Sequence, residues 1–115
     1  GQILCGKQAA IKCAYAPRVR VRTCEPVTLT TLDRLLTQLN VTAIDAVKMD
    51  VEGYECEVLR GGKRLLSHYR PAAIRYEVRS GSAECVRRIA SAYGYAPGRP
   101  LPGKPYDEDD EVLVP

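Results

Sequence analysis

Tryptophan and phenylalanine are missing from this 115-residue chain, and histidine and methionine occur once each. The seven tyrosines are scattered, so the aromatic surfaces on which nucleic-acid binders stack bases have little to build on. Net charge is only +3, and the early basic residues Lys7, Lys12, Arg18, Arg20 and Arg22 read as a solvated basic strand region. No nucleic-acid partner is expected. Long apolar runs are also lacking: none approaches the ~20 residues that cross a bilayer, and the opening GQILCGKQAAIK is too broken for a secretory signal. No membrane partner is expected. The chain opens on Gly1 rather than Met, which fits a processed chain or a piece of a longer one. Cys5, Cys13, Cys24, Cys56 and Cys85 form no Cys-x-x-Cys pair, which speaks against a zinc site or a thioredoxin-type motif. Their odd number and wide spacing read as packed thiols in a reducing compartment, so the cytoplasm is the expected location. No Gly-x-Ser-x-Gly elbow occurs, and the only histidine, His68, reads as a surface residue near a helix end; a serine hydrolase is not expected.

What is present reads as one soluble α/β domain over residues 1–115. Residues 18–23, RVRVRT, alternate with period two, as in a strand. Leu32, Leu35, Leu36 and Leu39 recur at helical spacing, with Thr30 or Thr31 placed to cap, Asp33 in the first turn and Asn40 at the end. Residues 44–49 read as a central strand. Val58, Leu59, Leu65 and Leu66 follow on a helical repeat that Gly61–Gly62 interrupts. After Pro71, residues 72–78 read as a second strand, then Val86, Ile89, Ala90 and Tyr93 mark a helix ending at Gly94. A Pro/Gly-rich stretch carries the acidic run 107–111, read as a solvated loop, and residues 112–114 read as a closing strand. Strands alternating with helices predict a mostly parallel sheet with flanking helices. The strand count is low, as if the first strands of such a sheet were missing.

Asp50 falls at the carboxyl end of the first central strand, and Glu77 near the corresponding end of the next. Ligands of open α/β sheets sit beyond those ends. Glu52 lies in the intervening turn, where Gly53 permits an unusual backbone angle. Three acids there suit a general base, a divalent metal or recognition of hydroxyl groups. The same acids also suit the N-terminus of the following helix, where negative charge gains about 0.3–1 kcal/mol. Glu55 and Glu57 read as solvated helix surface, in reach of Arg60. Spacing alone leaves both readings open.

The run VKMDVEGYECEVLRGG resembles the signature of the FkbM-type methyltransferases, at Lys48, Asp50, Glu52, Gly53, Glu55, Val58, Leu59 and Gly61. Thr31-Leu32-Asp33 resembles that family's helix start, and Arg70-Pro71 with Glu77 resembles its next strand element; the terminal EVLVP resembles its closing strand. The best match spans 27–78. The resemblance implies a partial Rossmann-like methyltransferase fold, use of S-adenosylmethionine, and methylation of a hydroxyl on a sugar or other small metabolite. It makes Asp50 the first candidate for hydroxyl contact or base, with Glu52 and Glu77 as partners; a divalent metal is compatible but not required. One departure stands out. The family's glycine-rich cofactor turn, of Asp-x-Gly-Ala-Asn character, has no counterpart near Gly1 or Gly6, and Cys24-Glu25-Pro26 only imitates its Glu-Pro element because it lies too close to Thr31. The chain therefore reads as the C-terminal half of such a domain, with cofactor-binding residues unassigned. Two other readings stay open: a non-catalytic module or split-enzyme partner that associates with itself or another chain through an exposed sheet edge, and an acidic-site metal enzyme independent of S-adenosylmethionine.

Overall fold

The computed structural model describes residues 28–78, 81–99 and 109–115. The expected strand at 18–23, the first three cysteines, the imitation at Glu25–Pro26 and the start of the acidic run lie outside the described residues. The chain divides into two compact units, Gly1–Thr30 and Thr31–Pro115, and the second holds every element described below.

Helix α1, Leu32–Gln38, starts where Thr31 adopts an extended conformation and its Oγ1 accepts from Arg34 N–H at 3.2 Å. It ends at Asn40, whose φ of 51° is the left-handed conformation that asparagine tolerates. Leu36 is buried and Leu32 half-buried, whereas Leu35 and Leu39 are exposed, so the apolar stripe is narrower in use than in sequence. Strand β1, Ala46–Met49, follows. Helix α2, Glu55–Arg60, is cut short at Gly61. The glycine pair is there for contact: a Cβ on Gly62 would meet Leu32 Cδ2 at 2.9 Å, and one on Gly61 would meet Thr31 Cβ at 3.1 Å. Asp33 ties the same junction, its N–H donating to Gly61 C=O at 2.9 Å and its carboxylate accepting from Arg64 N–H at 3.1 Å. That acid thus caps the next helical segment as well as sitting in its own first turn.

The segment after Arg64 winds as a single π-helical turn, Leu65–Tyr69, closed by Arg70 N–H to Leu65 C=O at 2.9 Å. Arg70 then takes φ 45°, and its guanidinium donates to the carbonyls of Leu66 and Tyr93 while lying over the Tyr95 ring. Strand β2, Ala73–Glu77, helix α3, Ala83–Ser91, and the two-residue strand β3, Ala96–Pro97, complete the crossover, with Gly94 at φ 86° ending the helical turn. Strand β4, Asp110–Val114, closes the chain.

The four strands lie in the order β1-β2-β4-β3. β1 and β2 are parallel, from Ala46 opposite Ala73 to Met49 opposite Tyr76. β4 is antiparallel to both β2 and β3. β1, β2 and β3 therefore run in one direction, as the alternation of strands and helices requires, but β4 slots between β2 and β3. The sheet is consequently mixed, where a mostly parallel one was expected. It remains an α/β arrangement compatible with a methyltransferase-like fold.

One face of the sheet is the core: Met49, Ile74, Tyr76 and Leu113 bury against Leu59 of α2 and Val86 of α3. Lys48 and Arg75, opposite each other in the register, are exposed on the other face. Asp110 and Glu111 correct the reading of the acidic run as a loop. They belong to β4, where Asp110 accepts from Arg75 Nε at 2.6 Å and Glu111 from Arg87 Nε at 2.8 Å and from the Tyr76 hydroxyl at 2.6 Å. A core tyrosine hydroxyl needs such a partner, and the strand register supplies it.

Cys56 and Cys85 form a disulfide between α2 and α3, their Cα atoms 5.8 Å apart. Free packing thiols were expected at both. Spacing along the chain carries no sign of the pair, because the crossover brings together residues 29 apart. A persistent disulfide belongs to an oxidising compartment, so these two cysteines no longer support a cytoplasmic location. No helix among the described residues is long and apolar enough to cross a membrane.

Candidate acidic site at the carboxyl ends of the strands

Asp50 follows directly on Met49, the last residue of β1, and Glu77 is the last residue of β2. The parallel register that sets Met49 beside Tyr76 brings the next pair, Asp50 and Glu77, to one rim. The chain then reverses over 51–54, where Tyr54 N–H returns to Val51 C=O at 3.2 Å. Both central residues are left-handed, Glu52 at φ 51° and Gly53 at φ 95°. Gly53 takes that conformation freely, whereas Glu52 does so at a cost of order 1 kcal/mol or more that the surrounding structure must offset. The result directs Glu52 back to the rim.

Asp50, Glu52 and Glu77 each offer a carboxylate oxygen, and the three oxygens lie within 4.8 Å of one another. Asp50 and Glu52 are exposed and Glu77 is half-buried. All three acids expected at the site therefore meet. Ionised carboxylates only accept hydrogen bonds, so the cluster can receive donors from a hydroxylated ligand, take a proton, or surround a hard cation with oxygen.

Glu55 departs from its reading as solvated helix surface. It is fully buried at the first position of α2. Its Oε2 accepts from the Ser82 hydroxyl at 2.7 Å, and its Oε1 accepts from Gly53 N–H at 3.4 Å. Glu57 keeps its expected role, exposed and paired with Arg60 at 3.3 Å. Ser82 went unnoticed in the sequence. The available signal for Glu55 was its place in the signature run, which helical periodicity assigned to solvent.

His68 is exposed beside Tyr69 at the opposite end of the parallel pair, next to a cavity of about 300 Å³ also lined by Asp45, Arg70 and Ala72. It takes no part in the acidic rim, in keeping with its surface reading.

The acids lie beyond the carboxyl ends of two parallel strands of a mixed α/β sheet, the place where open α/β sheets take their ligands. The model of the Methyltransferase FkbM domain matches residues 6–97, and the chain belongs to that family. The match is wider than the 27–78 span of the recognisable motifs and takes in all three rim acids. No curated protein matches the chain, and no solved structure does.

Proposed function

We propose that this chain serves S-adenosylmethionine-dependent methyl transfer to a hydroxyl group of a sugar, glycan or other small metabolite, within a partial Rossmann-like methyltransferase fold. The observation that carries this reading is the convergence of Asp50, Glu52 and Glu77 within 4.8 Å in a member of a methyltransferase family. A hydroxyl acceptor presents a donor to acceptor-only carboxylates, and methylation requires that its proton leave. Asp50 is the hydroxyl contact and base. Glu52 and Glu77 accept neighbouring hydroxyls and fix the acceptor's orientation, which matters most in a displacement that needs alignment.

The described residues fit the acceptor side of this reaction and not the cofactor side. Among them no glycine-rich turn of Asp-x-Gly-Ala-Asn character follows a strand. No residue is therefore assigned to S-adenosylmethionine, which supplies the electrophilic methyl group when bound. The same three oxygens suit a divalent cation, and the reading does not depend on one.

One observation favours a second reading, a non-catalytic module or split-enzyme partner. Among the described residues β1 is hydrogen-bonded to β2 alone, and Ala46 and Lys48 on it are exposed. Such an edge takes a further strand from a second chain. Transfer of a labelled methyl group from S-adenosylmethionine to hydroxylated acceptors separates the two. Transfer that Asp50→Asn abolishes supports the enzyme; self-association with no cofactor binding supports the module.

A further inference from the structure

A fully buried carboxylate is exceptional in a protein of this size. Its desolvation is tolerable only where hydrogen bonds replace the lost water. Glu55 meets that condition in an informative way, because its two oxygens serve different loops. Oε1 takes the N–H of Gly53, inside the left-handed turn that carries Glu52 and begins at Val51, directly after Asp50. Oε2 takes the hydroxyl of Ser82, five residues beyond Glu77 on the segment that leaves β2. Ser82 stands at the N-cap of α3, where serine ordinarily accepts from its own helix; here its side chain makes no capping bond. The Ser82 hydroxyl is spent on Glu55 instead.

We infer that Glu55 is a positioning residue, a buried clamp that joins the Asp50–Glu52 turn to the Glu77 segment and so sets the spacing of the three rim acids. This rests on the reading of those acids as the acceptor site. Glu55 itself touches no ligand: with no exposed surface, it acts through Gly53 and Ser82. The left-handed Glu52 needs such support, since its backbone conformation is costly and the turn holds only one cross-bond of its own. The disulfide from the adjacent Cys56 to Cys85 joins α2 to α3 inside the helices, whereas Glu55 bonds to the turn at Gly53 and to the N-cap at Ser82.

The test compares the full chain with Glu55→Gln and Ser82→Ala, with Ser82→Thr as the variant that keeps the hydroxyl. Exchange of the Gly53 amide should accelerate about tenfold in Glu55→Gln, which takes the charge from its acceptor, and in Ser82→Ala, which releases the carboxylate from the bond that orients it, while amides of the β1–β2 ladder keep their protection. The carboxyl carbon resonances of Asp50 and Glu52 should shift in both variants and return in Ser82→Thr. Glu57→Gln, two residues further along the helix on its exposed side, should leave both signals in place. Unchanged Gly53 exchange, or an equal acceleration at every amide, overturns the clamp, the latter because it marks a merely stabilising residue. Where the wild type methylates an acceptor, the same variants should lower kcat and raise KM for the acceptor, and unaltered kinetics overturn the positioning role. A wild type without turnover removes the methyl-transfer reading alone, because the exchange and resonance data decide the clamp without it.

Discussion

Asp50 and Glu77 share a rim because Met49 and Tyr76, the residues before them, are direct partners in the parallel β1–β2 register. A slip of one residue would turn both acids to opposite faces. The site is therefore as secure as the core, since the same register buries Met49 and Tyr76.

Asp50→Asn should reduce methyl transfer about 10²–10⁴-fold, the usual contribution of a positioned proton acceptor. Asp50 is exposed, so its unfolding free energy should stay within about 0.5 kcal/mol of wild type. Urea titration beside the rate measurement separates the two effects.

Gly62→Ala should destabilise the chain by about 1–3 kcal/mol, the range for overpacking a filled site. The new methyl would meet Leu32 Cδ2 at 2.9 Å and Val58 C=O at 3.1 Å, and the contact joins α1 to the end of α2. Thermal unfolding monitored by circular dichroism would register the loss.

The Tyr76–Glu111–Arg87 network predicts a pH window for stability. Hydrogen bonding from Arg87 holds the Glu111 carboxyl below its usual range against the opposing effect of burial, with the Tyr76 hydroxyl adding to the lowering. Burial first, and Glu111 second, hold the Tyr76 hydroxyl protonated well above the usual tyrosine range. The depressed Glu111 contributes stability that is complete above the unfolded carboxylate value of about 4.3 and is lost as pH falls through its lower folded value. The raised Tyr76 contributes stability that is complete below about pH 10 and is lost as pH rises above it. Urea midpoints across pH should fall at both ends. Glu111→Gln should flatten the acid limb, and Tyr76→Phe the alkaline one.

The Cys56–Cys85 bond closes a loop spanning 29 residues. Loop-closure entropy of that size corresponds to about 3–4 kcal/mol. Reduction should lower the urea midpoint accordingly, and Cys56→Ala with Cys85→Ala should match the reduced protein. Thiol alkylation of the chain directly in its source cells reads the compartment: protection of both cysteines marks an oxidising one, and modification of both marks the cytoplasm.

Local signals were legible wherever a residue answers to its near neighbours. Thr31 caps, Asn40 and Gly94 terminate, Gly61 stops α2, and the acids at 50, 52 and 77 stand where strand ends put them. What escaped depends on partners distant in sequence. The place of β4 between β2 and β3 turns on which strand the last segment meets, and no periodicity encodes that. Asp110 and Glu111 looked solvated because their arginine partners, Arg75 and Arg87, lie more than twenty residues upstream. Glu55 looked like helix surface for the same reason: Ser82, which satisfies its buried carboxylate, lies 27 positions away.

In our proposal the rim of Asp50, Glu52 and Glu77 receives a hydroxyl for methylation. Its most direct test is to incubate the protein with S-adenosylmethionine carrying an isotopically labelled methyl group and a panel of sugars and small hydroxylated metabolites, in wild-type and Asp50→Asn forms. Label should appear in a methyl ether from the wild type and be almost completely lost from the variant. Label transferred equally by both forms would contradict the proposal, as would the absence of label from every acceptor when the cofactor is shown to bind.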